Sequence, residues 1–127
     1  MVNKRGYRLG DLQLRILKVL WRLGPASVAE VHTQLGPERS AYTTVATMLR
    51  KMEARRLVRH REEGRKFIYE AAVTADEVSR SSTADLLDRL FEGSLSEAVG
   101  HLLETREVTR EELDALERLI QERKRQC

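Results

Sequence analysis

Between positions 41 and 52 the chain sets Thr43, Thr44, Thr47, Arg50 and Lys51 around successive helical turns, and no acidic residue interrupts them before Glu53. Threonine hydroxyls donate to and accept from base edges and phosphates, threonine methyls pack on the thymine methyl, and arginine and lysine pair with phosphate. A helix that only packed would carry Ala, Glu or Lys on its exposed face, not a run of β-branched residues with mediocre helix propensity. Arg39 and Tyr42 stand at the front of this run, and Arg61, Arg65 and Lys66 follow it around Gly64. The chemistry on offer is recognition of a polyanion, with hydroxyls to read it and cations to hold it.

Other chemistries find little support. His32, His60 and His101 fall one per segment, without H-x-x-x-H or H-E-x-x-H spacing or a cysteine partner. They read as surface or packing residues rather than metal ligands. There is neither a glycine-rich phosphate loop nor a Ser/His/Asp arrangement, and the carboxylates of 74–117 alternate with arginine at the spacing of solvated helix faces. No catalytic residue, cofactor or metal is expected. Cys127 is the one cysteine, which excludes an intrachain disulfide and fits a reducing cytoplasm. Its neighbours Arg123, Lys124 and Arg125 supply the positive charge a reactive thiolate needs, which keeps a thiol-responsive regulator as an alternative, but a frayed terminus holds little geometry and a non-functional cysteine is the favoured reading.

The elements that must position the Thr/Arg face follow from periodicity. Leu12, Ile16, Val19, Leu20 and Leu23 recur at helical spacing from about Leu9, and Gly24-Pro25 ends that helix. Ser27 and Glu30 form a capping-box pair before a short second helix closed by Gly36-Pro37. Val45, Met48, Leu49 and Met52 give a third helix one apolar stripe, opposite the threonines and arginines. Residues 57–61 and 65–70 then read as two strands around Glu62-Glu63-Gly64, with Gly64 accepting a positive φ. Three helices and a hairpin describe a winged helix-turn-helix, in which the second helix of the turn pair enters the major groove and the wing lies on the flanking backbone.

Charge divides the 127 residues in the same way. Residues 1–73 carry 15 lysines and arginines against 7 acidic residues, net +8, whereas 74–127 carry 8 against 13, net −5. A polyanion-binding module at 1–73 is therefore expected to be joined to a different unit at 74–127. That second part carries three capping signals, Thr74-x-x-Glu77, Ser94-x-x-Glu97 and Thr109-x-x-Glu112. Behind them lie the apolar sets Leu86, Leu90 and Phe91, then Leu95, Val99, Leu102 and Leu103, then Leu113, Leu116 and Ile120. Three apolar faces in so few residues make a marginal core, and pairing with a second copy would bury them. No run approaches the roughly 18 apolar residues of a membrane span, and no apolar stretch follows the charged N-terminus as in a secretory signal. The competing function is a winged-helix adaptor for another protein, which would not need the acid-free face.

Several segments together are similar to one family. Leu9-Gly10-Asp11-Leu12 with Ile16-Leu17 and Leu20-Trp21, the run Ala41-Tyr42-Thr43-Thr44-Val45-Ala46-Thr47-Met48-Leu49, the wing residues Leu57-Val58, Gly64-Arg65 and Tyr69, and Phe91-Glu92-Gly93-Ser94-Leu95 resemble the penicillinase and methicillin-resistance repressors, the BlaI/MecI family. The resemblance implies a mainly α chain with an N-terminal winged helix and a C-terminal three-helix dimerisation domain. It implies a homodimeric repressor on double-stranded DNA operators built as inverted repeats of TACA/TGTA type, with Thr43 and Thr44 at the base-contacting positions. Penicillinase repressors often carry lysine at the first of these. In the antibiotic-resistance members a membrane sensor's signal leads to proteolytic cutting between Asn and Phe, a bond that aligns here with His101–Leu102. A copper-responsive branch uses a cluster of C-terminal cysteines, of which this chain has Cys127 alone.

Overall fold

A computed structural model describes residues 9–127; the charged opening stretch 1–8, on which the expectation of no secretory signal rests, lies outside them. The order is α1 (Asp11–Leu23), β1 (Ala26–Ser27), α2 (Val28–Leu35), α3 (Tyr42–Ala54), β2 (Val58–Glu63), β3 (Lys66–Ala71), α4 (Ala75–Phe91), α5 (Leu95–Thr105) and α6 (Arg110–Gln126). The chain divides into two compact units, one up to Asp85 and one from Leu86.

The first unit is the winged helix. Helix α1 begins two residues later than its apolar pattern, because Gly10 is its N-cap, and it buries Ile16, Leu17, Val19 and Leu20. Its last turn closes on Gly24, whose N–H donates to the Leu20 carbonyl at φ +82°. The Ser27 capping box starts α2 as expected: the Glu30 N–H donates to Ser27 Oγ at 3.1 Å, and the Ser27 N–H donates to the Glu30 carboxylate at 2.8 Å. Helix α3 turns Val45, Leu49 and Met52 inward, with Met48 half-buried beside them. It ends in a Schellman arrangement, the Arg56 N–H on the Glu53 carbonyl and the Leu57 N–H on the Met52 carbonyl, both at 2.9 Å. Arg56 takes the left-handed position, φ +66°, that glycine would occupy without steric cost.

The wing differs from its sequence reading in two ways. The turn is not Glu62-Glu63-Gly64: the strands run on to the pair Glu63–Lys66, leaving the two residues Gly64 and Arg65 between them. Gly64 sits at φ +63°, and a two-residue connection with glycine first follows the twist of the strands, so pairing propagates to the tip. The sheet also has a third strand, β1, in the order β1-β3-β2, with Ala26 opposite Tyr69 and Ser27 opposite Ile68. Two residues carry no detectable alternation, so nothing in the sequence marks β1. It stitches the base of the wing to the helices, where Tyr69 is almost wholly buried among Val31, Leu57 and Val58 of the same core. Trp21 Nε1 donates to the Val73 carbonyl at 2.9 Å, and Val73 and Val78 close this core on either side of the Thr74 cap.

The second unit is helical, as the capping signals imply. Ser94 Oγ accepts from the Glu97 N–H, and Thr109 Oγ1 from the Glu112 N–H, at 3.2 and 3.0 Å. Neither α5 nor α6 buries a single residue. Leu86, Leu90, Leu95, Val99, Leu102, Leu103, Leu113 and Ile120 are exposed, and Phe91 and Leu116 are half-buried.

Candidate nucleic-acid interface

The outward face of α3 follows from its inward one. With Val45, Leu49 and Met52 fixed in the core, Thr43, Thr44, Arg50 and Lys51 are exposed and Thr47 is half-buried at their centre. Thr47 Oγ1 accepts from Arg50 Nη2 at 3.3 Å, so the guanidinium is laid along the helix face. The start of α3, like that of α1 at Gly10, has no side-chain cap. Ser27, Ser94 and Thr109 cap α2, α5 and α6 with their hydroxyls, but α3 begins at Ala41, which has no side-chain acceptor to offer. Its first-turn N–H groups keep their donors and the positive end of the helix dipole, a combination suited to phosphate.

The wing meets this helix at a cleft of about 320 Å³, lined by Ser27, Val28 and Ala29 at the start of α2, by Tyr42 of α3, and by Arg65, Lys66 and Phe67. The fold thus brings Tyr42 together with the two cations of the wing tip, residues more than twenty positions apart. Lys66 also acts on Glu30, whose carboxyl lies below the usual carboxylate range chiefly because it accepts the Ser27 N–H, with the Ser27 hydroxyl and the Lys66 charge adding to this. Tyr42 holds its place through an edge-on contact with His32, ring centroids 5.7 Å apart. His32 Nε2 in turn lies 2.9 Å from the Ser40 carbonyl, to which it donates. Arg39 is exposed in the turn ahead of α3.

Arg61 is placed less simply than its charge implies. Its guanidinium pairs with Glu63 on the same strand at 2.8 Å, so part of its charge is answered within the wing. Arg59 is paired likewise with Glu70 across the hairpin at 2.7 Å. Two residues beside this face are not marked by the sequence pattern. Phe67, exposed at the cleft, stood there as one strand residue among others; its place beside the wing cations was the available signal. Gln13 joins α1 to α3, its Oε1 accepting from Arg55 at 3.0 Å and its Nε2 lying 3.4 Å from Met48 Sδ. A polar residue beside an apolar stripe gives no hint of that.

A helix-turn-helix whose second helix shows an acid-free Thr/Arg face, with a basic hairpin beside it, defines a transcriptional regulator of the winged-helix class. The chain belongs to the penicillinase repressor family, whose profile matches residues 9–122. It is 25% identical over 118 residues to the penicillinase repressor of Bacillus licheniformis, covering 92% of each chain. It is 35% identical over 118 residues to the transcriptional regulator BlaI of Mycobacterium tuberculosis, covering 91% of this chain and 84% of that one. Among solved structures it shares its fold with the AntR antimony-specific transcriptional repressor, at TM-score 0.50 and 22% identity over 73% of this chain and 79% of that one. A MarR family protein from Bacillus stearothermophilus aligns at TM-score 0.50 and 17% identity over 98% of this chain and 79% of that one. The protein is therefore a DNA-binding transcriptional repressor of the winged-helix type and not an enzyme. Among the described residues no helix is long and apolar enough to cross a membrane.

Proposed function

We propose that the protein acts in the cytoplasm as a homodimer that represses transcription by binding inverted-repeat operators of TACA/TGTA type. Residues 1–73 supply the DNA-binding module and 74–127 the dimerisation domain. Thr43 and Thr44, with Thr47 between Arg50 and Lys51, read base edges from the major groove. Arg39, Tyr42, Arg65 and Lys66 hold the flanking phosphates, and Arg61 contributes less because of Glu63. The observation that carries this reading is the exposed face of α3, which holds threonine and cations and no carboxylate until Glu53. The exposed leucines of α5 and α6 favour a second copy of the chain as the cover for their apolar faces.

Derepression would follow from loss of the dimer. The His101–Leu102 bond lies inside α5, the helix whose apolar face the second copy would cover, so a protease would act when α5 opens locally to an extended form. Cutting there, by a protease acting downstream of a membrane sensor, would divide the dimerisation domain and leave two weak half-site binders. The test of the DNA reading is titration of an inverted-repeat duplex over a range of salt. Log K should fall steeply with log salt, with a slope of about −0.9 for each phosphate neutralised. A binding constant that barely changes with salt would favour the adaptor function instead.

A further inference from the structure

We infer that His60 is a positioning residue for DNA binding, tying the wing to α3 through Glu53 and so fixing Arg65 and Lys66 relative to Thr43 and Thr44. Glu53 is the one acid of α3, set on its last turn, where a carboxylate near a polyanion would ordinarily weaken binding. It does not face solvent freely. Both of its oxygens lie against His60 Nδ1 of strand β2, at 2.7 and 2.8 Å, and both side chains are about one-third exposed. A carboxylate can only accept, so Nδ1 carries the proton and donates. A face of the imidazole is occupied as well. It stacks on Phe67 of β3, centroids 4.3 Å apart and planes 20° from parallel, and its ring lies 5.4 Å from that of the buried Tyr69.

The contacts therefore run unbroken from α3 through Glu53 and His60 to Phe67, which lines the cleft beside Arg65 and Lys66. The tie falls where the hairpin needs one. His60 pairs with Tyr69, the last fully buried position of the wing, and outward of it Arg61, Glu62 and Glu63 are all exposed. A two-stranded ribbon without a packed face is marginally rigid. Its tip inherits its direction from whatever is fixed at its base, and a shift there alters which phosphates the wing can reach without altering the base-reading face.

This inference rests on the DNA-binding reading, and its test separates the two. His60→Phe keeps the ring stack and removes the donor. Measured on a TACA/TGTA inverted-repeat duplex, it should keep wild-type melting behaviour yet lose affinity by about tenfold, with the salt slope shallower by about 1 to 2 as the wing contacts slacken. Adding Arg65→Ala to His60→Phe should then cost much less than Arg65→Ala alone, because that contact is already weakened. His60→Asn, whose amide sits near the Nδ1 position, should recover part of the slope. Glu53→Ala carries the test without touching the wing core. Removal of a negative charge by itself should tighten binding to DNA, whereas loss of the tie should weaken it and flatten the slope. Wild-type slope and affinity in His60→Phe, additive losses with Arg65→Ala, or tighter binding by Glu53→Ala would each overturn the positioning role. A wild-type chain whose binding ignores salt and operator sequence would instead overturn the DNA-binding reading beneath it.

Discussion

At the scale of single residues, reading and holding are separable. Thr44 is exposed on the first turn of α3, and its loss removes a hydroxyl and a methyl from the surface proposed to face the groove. Thr44→Ala should lower operator affinity by about 1–3 kcal/mol while leaving affinity for random duplex unchanged, as competition titrations would register. Arg65→Ala should weaken both duplexes by similar factors, since a wing cation meets phosphate rather than base. Arg61→Ala should cost less than Arg65→Ala because Glu63 already engages the Arg61 guanidinium. If Thr44→Ala kept the ratio of specific to random binding and Arg65→Ala changed it, the two roles would be reversed. The Thr/Arg face was legible in the sequence because it consists of residue types and a missing charge on one helical stripe. The pairing of Arg61 with Glu63, and of His60 with Glu53, was not: a strand sets side-chain direction, but the partner depends on rotamers and on which helix lies nearby.

At the scale of elements, the helix starts were legible because capping is local chemistry. Ser27, Thr74, Ser94 and Thr109 each accept the N–H three residues on, as their spacing to glutamate predicts. Strand β1 was invisible because its two residues exist as a strand only through β3, and the hairpin turn was misplaced because Glu62 and Glu63 carry little strand propensity. Ser27→Ala should cost about 1 kcal/mol in denaturant unfolding, the usual value of an N-cap hydroxyl. Glu30 adds a pH signature. Its carboxyl is lowered in the folded state, chiefly by the Ser27 N–H, so its contribution is present above the unfolded pKa and is lost as pH falls through the folded one. The stability gap between wild type and Glu30→Gln should therefore be widest near neutrality and close in acid; a gap that widened in acid would contradict the assignment. Arg56→Gly, at φ +66°, should raise stability by about 1 kcal/mol by relieving a left-handed arginine.

At the scale of the whole molecule, the two units solve different problems. The winged helix has a core of its own, whereas α5 and α6 bury no residue in a single chain and leave Leu95, Leu102 and Ile120 more than half exposed. Burying one leucine is worth roughly 1.5–3 kcal/mol, and a two-fold interface counts each twice. Leu102→Asp should set two unpaired carboxylates in the proposed interface and shift the protein to monomer, seen as a halved mass in sedimentation. The winged helix should remain folded, since Leu102 lies outside its core. Such a monomer engages one half-site and gives up the linkage of two binding events, a gain of about 10²-fold or more. The decisive measurement is operator titration of Leu102→Asp beside the wild-type protein on the same inverted-repeat duplex. A dimeric repressor predicts affinity for the full operator reduced by about a hundredfold or more, to the level of a single half-site. A folded monomer that binds the full operator with undiminished affinity would contradict it.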